Sequence, residues 1–341
     1  MINELICKLC TGFSGSGNET HISNIIKKEL LQYTNNVYID KNYNVICQIG
    51  QKGSKKHILI DAHIDQISMI VTSIDNDGFI SIAPCGGIDC RVLPGSTVYI
   101  HGKSIITGIV CSTPPHLSSN DSKSFEKTES LFIDTGLSKH DLMDIVSVGD
   151  YISFSTNPQK LIGTKITAPA LDNRAGTAAL IECIKILNSQ KLDCCATFLF
   201  STQEEIGSLG AKTAAFSIEP TESITVDVSF ANQPNVPNEK CGTLSHGPMI
   251  GIAPSLSRKI SNKLINLAKE NNIPYQLEIM NSSTGTTADV ITTSKNGIPG
   301  GILSIPLRYM HTPVEVIDTV DIKYTAKLLA NYILKGDANN E

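Results

Sequence analysis

Four apolar runs set the rhythm of the chain: HILIDAH at 57–63, CCATFLF at 194–200, SITVDV at 223–228 and GGILSIPL at 300–307. Each is rich in β-branched or aromatic residues and precedes a turn or helix signal, which predicts strands buried on both faces. KITAPALDNRAG at 165–176 leads into TAALIECIKIL, whose apolar spacing predicts a helix starting at Asp172. The N-terminal MINELICKLC and the segment SLSRKISNKLINLAKENN read as amphipathic helices with a solvated charged face.

The texture changes between residues 68 and 163. Short apolar runs such as VTSIDNDGFISI, GSTVYIHGKSIITGIVC and VSVGDYISFS are broken by Gly, Pro, Asn and Asp, with the polar stretch PPHLSSNDSKSFEKTES between them. That punctuation predicts a small β-barrel or sandwich. The expected organisation is a discontinuous domain of residues 1–67 and 164–341 with an all-β domain, 68–163, inserted into it.

The polar residues that close the apolar runs carry the chemistry. Glu204 and Glu205 follow a buried strand, and on extended backbone neighbouring side chains point opposite ways, so the two carboxylates are expected to do different jobs. His63 and Asp65 close the first run, Asp172 opens the helix, Asp227 closes a third strand, and His311 lies just beyond a fourth. Ligands of open α/β sheets bind at the carboxyl ends of strands, so these termini are expected to converge on one crevice. Imidazole and carboxylate donors without thiolate suit zinc, cobalt or manganese. His63, Asp172, Glu205, Asp227 and His311 are one donor too many for a single tetrahedral zinc, and two ions sharing Asp172 fit better. His63 and Asp227 are assigned to one ion and Glu205 and His311 to the other, a partition that the sequence leaves open.

The segments AHID, LDNRAG, QEEIG, VDV and RYMHTP, in this order and over nearly the whole chain, resemble the tetrahedral aminopeptidase family of glutamyl and leucyl aminopeptidases. The resemblance implies an α/β fold, a mixed sheet sandwiched by helices as in zinc peptidases, with the barrel-like insert serving dimerisation. It implies two divalent ions bridged by Asp172, Glu204 as general base, and Asp65 orienting His63. It further implies a peptide substrate held by its free α-amino group, and a homo-oligomer of tetrahedral dodecamer type. Gln66 and Thr287 depart from the family pattern, which bears on the substrate side and not on the metals.

Composition agrees with such an enzyme. A chain of 341 residues with 41% hydrophobic content can bury a large core, and a net charge of -5 gives no reason to seek nucleic acid. No apolar run is long enough to span a membrane, and the N-terminal segment lacks the basic start and apolar core of a signal peptide, so a cytoplasmic location is expected. Among ten cysteines, the Cys7–Cys10 CxxC stands alone and Cys194–Cys195 opens a buried strand, so both are read as small apolar residues. His101, His116, His140 and His246 fall outside the strand-end pattern, and STGTTAD lacks the lysine of a phosphate loop.

Three other readings use the same residues. A carboxypeptidase or deacylase needs an arginine for a substrate carboxylate, for which Arg174 and Arg308 are candidates. A glycosidase, a label some relatives carry, needs two carboxyl groups across a sugar, which adjacent glutamates beside histidines fit poorly. A non-enzymatic scaffold has no use for the ligand set.

Overall fold

The computed structural model of the chain describes residues 2–112 and 128–335; His116 lies outside them. An eight-stranded mixed sheet forms the centre. Its strands run in the order Val37–Ile39, Val45–Gly50, Cys195–Ser201, His57–His63, Glu222–Phe230, Gly300–Leu307, Met249–Ile252 and Gln276–Ile279. The four middle strands, Cys195–Ser201 to Gly300–Leu307, are parallel, and antiparallel pairs join them to Val45–Gly50 on one side and Met249–Ile252 on the other. These are the apolar runs of the sequence, buried because helices cover both faces.

Alternation along the strands divides the core. Ile58, Ile60, Phe198 and Phe200 point to one face, where they meet the helices Ile2–Cys10, Thr20–Leu30, Leu171–Leu187, Arg258–Glu270 and Thr319–Leu334. Leu59 and Leu199 point to the other and pack with Ala211, Ala214 and Ile291 of the helices Leu209–Ile218 and Ala288–Thr292. At about 25 cal/mol per Å² of apolar surface, a two-sided core of this kind dominates the stability of the sheet and its helices.

Ser68–Ile74, Ile80–Cys85, Phe132–Asp134, Ile105–Cys111, Thr97–His101 and Tyr151–Phe154 close into an antiparallel barrel. Its own core contains Met69, Val71, Ile82, Val98, Ile100 and Ile152. Closure removes the exposed edges that such short strands would otherwise present. A small three-stranded sheet of Gln159–Lys160, Lys165–Ala168 and Glu315–Asp318 follows, bringing Glu315 beside the start of the helix at Leu171.

All ten cysteines are unpaired, and the thiols of Cys10, Cys47, Cys183, Cys194 and Cys195 are buried. Burial pushes Cys47 up to about 12, the behaviour of an inert core thiol. Among the described residues no helix is long and apolar enough to cross a membrane.

Candidate metal centre and active site

His63 is the last residue of its strand, and Asp65 follows two residues later. Asp172 sits at the start of the helix Leu171–Leu187, where its backbone and that of Asn173 are non-helical. His311 lies four residues beyond the strand Gly300–Leu307. Asp227 is different: it is the sixth residue of the nine-residue strand Glu222–Phe230, not its end. The expectation of a strand terminus there is corrected because pairing continues through Ser229 and Phe230 to Pro306 and Leu307. Thr225 is paired with Asp61, which brings Asp227 level with His63 across the parallel ladder.

The turn carrying Glu204 and Glu205 also departs from expectation. The strand ends at Ser201, and Gln203 takes a left-handed φ of 57°, so the two glutamates occupy a turn and strand alternation does not separate them. Their backbone amides donate to the two oxygens of Asp65, Glu204 N to Oδ1 at 2.9 Å and Glu205 N to Oδ2 at 3.1 Å. Asp65 thus orders the turn while its Oδ1 lies 3.4 Å from His63 Nδ1.

Two donor groups result, His63 with Asp172 and Asp227, and Asp172 with Glu205 and His311; within each, the potential ligand atoms all lie within 4.8 Å of one another. Asp172 belongs to both. Its Oδ1 is 3.1 Å from His63 Nε2, and its Oδ2 is 3.3 Å from His311 Nε2. Asp227 Oδ1 stands 3.6 Å from His63 Nε2, and Glu205 Oε1 stands 3.7 Å from His311 Nε2.

The electrostatics show a buried site short of positive charge. Burial, reinforced by the carboxylates of Asp227, Asp65 and Asp172, pushes Glu204 up to about 7. Burial and Asp172 push Glu205 up to about 8, and burial likewise raises Asp227. Burial opposes charge on both imidazoles, but the surrounding carboxylates outweigh it: His63 rises well above its ordinary value and His311 to about 9. For Asp172 burial acts upward, and hydrogen bonds from His311 and His63 prevail and hold it below the usual carboxylate range. Carboxyl groups that outnumber their imidazole partners, converging from separate elements, are the donor chemistry that divalent cations neutralise. The residues present therefore fit a metal centre.

Several contributors escaped the sequence reading. Glu315, fully buried, accepts from the backbone amides of Asp172 at 3.0 Å and His311 at 2.9 Å, tying the shared aspartate to the histidine of the second donor group. Ser16 donates to Asp65 Oδ2 at 2.7 Å, and Glu19 accepts from Gly17 and Gln203 amides. A carboxylate interrupting the apolar residues Val314, Val316 and Ile317 was the available signal for Glu315. The polar loop GFSGSGNE gave none for Ser16, whose partner is distant in sequence.

The remaining candidates lie elsewhere. His101 stacks on Phe13 with ring centroids 3.9 Å apart and bonds Ser153, His140 is exposed beside Asp141, and His246 meets the Leu244 carbonyl. Arg174 is fully buried, donating to the carbonyls of Ile64 and Gly12 and to Ser14 Oγ. It is committed to the N-terminal loop and is unavailable to a substrate carboxylate. Arg308 Nε donates to the Asn232 carbonyl at 2.7 Å. Gln66 Oε1 accepts from Arg174 at 3.5 Å, and Thr287 donates to the buried Asp61; neither residue belongs to the two donor groups.

The sequence profile of the M42 glutamyl aminopeptidase family matches residues 43–328. A lysyl aminopeptidase of Pyrococcus furiosus is 33% identical over 331 residues, covering 95% of this chain and 94% of the relative. The structure of an aminopeptidase from the archaeon Desulfurococcus kamchatkensis matches with a TM-score of 0.92 at 30% identity, over 98% of this chain and 95% of that one. The TET1 peptidase of Pyrococcus horikoshii, which can assemble into a tetrahedron or a large octahedral shell, matches with a TM-score of 0.87 at 29% identity, over 98% of this chain and all of the other. Family profile, near full-length relatives and a fold shared over nearly the whole chain agree, and the chain belongs to the M42 glutamyl aminopeptidase family, peptide hydrolases that depend on metal and act at amino termini.

Proposed function

We propose that the chain removes N-terminal residues from peptides at a centre of two divalent cations, zinc or cobalt before manganese. His63 and Asp227 would hold one ion, Glu205 and His311 the other, and Asp172 both. The observation that carries this reading is the division of the Asp172 carboxylate, with one oxygen toward each histidine. When bound, such a pair polarises a scissile carbonyl and makes water acidic enough to ionise near neutrality.

The remaining steps belong to the chain. Glu204 lies in neither donor group, yet its turn is fixed by Asp65 within the same buried cluster. Its carboxylate takes a proton from the attacking water and returns it to the leaving amine. Asp65 holds His63 with Nε2 toward the centre, as a carboxylate behind a ligating histidine does. The acidic surroundings favour an ammonium group, which supports action at a free amino terminus over action at a carboxyl terminus. Commitment of Arg174 to the N-terminal loop supports the same choice.

The proposed catalytic domain comprises residues 1–67 and 164–341, and the insert 68–163 serves dimerisation and assembly. Likeness to a peptidase that forms a tetrahedron supports a homo-oligomer of that kind. Glu204→Gln tests the assignment: turnover of an aminoacyl chromogenic amide should fall by roughly 10²–10⁴-fold with metal content unchanged. Glu205→Gln should instead deplete one ion. The reverse pattern would exchange the roles of the two glutamates, and cleavage of an N-terminally blocked peptide as fast as a free one would rule out an aminopeptidase.

A further inference from the structure

Each histidine of the donor groups presents Nε2 to Asp172, so the acceptor behind Nδ1 decides whether Nε2 has a lone pair to offer. Behind His63 stands Asp65, just past the strand His57–His63, with Oδ1 3.4 Å from Nδ1. Behind His311 the acceptor is the backbone carbonyl of Gly87, 2.7 Å from Nδ1. Gly87 belongs to the loop that leaves the barrel strand Ile80–Cys85, so this acceptor comes from the insert. A carbonyl can only accept, so the contact requires a proton on Nδ1; in the neutral imidazole it leaves Nε2 free for a cation.

The loop is shaped for this approach. A Cβ on Gly87 would stand 2.9 Å from His311 Nδ1 and 3.1 Å from its Cε1. One on Gly86, already at φ +89°, would stand 3.1 Å from Glu205 Cβ and 3.2 Å from its Oε2. Two consecutive glycines therefore lie against the two side chains that Asp172 does not share with His63. Asp89 N completes the contact by donating to the His311 carbonyl at 3.5 Å.

We infer that Gly87 is a positioning residue for His311, and that the inserted barrel thereby completes one of the two cation sites. The inference rests on the proposed two-ion centre. Such supports behind a ligating histidine are worth roughly 10–100-fold in metal affinity. A Cβ at position 87 must push the His311 ring away and break its bond to the carbonyl.

Full-length Gly87→Ala should bind one zinc ion with the affinity of the unaltered protein and the other 10–100-fold more weakly. Stoichiometry by elemental analysis after equilibrium dialysis and a cobalt absorption titration both read this without recourse to turnover. Activity should return at high zinc concentration with little change in KM. Arg91→Ala, in the same loop but exposed and away from His311, should titrate like the unaltered protein. If Gly87→Ala fails to fold, Nδ-methylhistidine at position 311 removes the same N–H while leaving Nε2, and should weaken the same ion. Two ions bound by the variant with unaltered affinities would overturn the role of Gly87 alone. Failure of the unaltered protein to bind two ions would instead overturn the two-ion reading beneath it.

Discussion

The two donor groups share an aspartate but are built from different material. His63 and Asp227 project from adjacent parallel strands of the central sheet, and their side chains are only 2% and 7% exposed. Glu205 and His311 project from turns, and the His311 side chain is 30% exposed. His311 itself has a left-handed φ of 62°, as does Tyr309 at 58°, an arrangement costing on the order of 1 kcal/mol per residue. Glu315 holds the His311 amide and Thr312 holds the Tyr309 carbonyl, which secures that turn locally. One site is thus fixed by the ladder of the sheet, and the other by loop contacts, including one from the barrel. Under the two-ion reading, the first is a permanent fixture and the second is the one that exchanges.

Graded chelation probes that difference with the largest effect. Nearly all activity should disappear with the first ion, and that ion should leave at least tenfold faster than the second, since about 1.4 kcal/mol in local opening is already a factor of ten. Stopped-flow with a metallochromic chelator would resolve the two phases. Loss of both ions in one phase would mean that the sites do not differ as their burial suggests.

A smaller effect is expected at the junction between barrel and catalytic domain. Burial pushes the imidazole of His101 from 6.5 down to about 4, where it stacks on Phe13 of the N-terminal loop. A depressed value means that between pH 4 and 6.5 the unfolded chain binds more protons than the folded one. The contribution is therefore fully present above about pH 6.5 and is lost as the pH falls toward 4. His101→Gln should flatten the fall of Tm between pH 7 and 4.5. An unchanged slope would show that other groups cause it.

The sequence made the strands and most of the donors legible because the chemistry sits where apolar periodicity breaks. HILIDAH, CCATFLF and GGILSIPL are continuous apolar runs because helices cover both sheet faces, and polar residues just past their ends stand out. Asp227 was found by the same rule, although the rule misplaced it: the strand runs on to Phe230, a matter of register against its neighbours that no local pattern encodes. The turn at Gln203 likewise replaced the expected alternation of Glu204 and Glu205, because Asp65 captures both amides from a remote segment. Ser16, Glu315 and Gly87 were illegible for a related reason. Each acts through a partner far away in the chain, and in Gly87 the acting atom is a backbone carbonyl that every residue possesses.

The most direct test of the account is a crystal structure of the zinc-loaded protein with anomalous diffraction measured on both sides of the zinc edge. Two peaks are expected roughly 3.5–4 Å apart, one beside His63 and Asp227, the other beside Glu205 and His311, with one Asp172 oxygen coordinating each and Glu204 coordinating neither. A single fully occupied peak, or two peaks that Asp172 does not join, would contradict it.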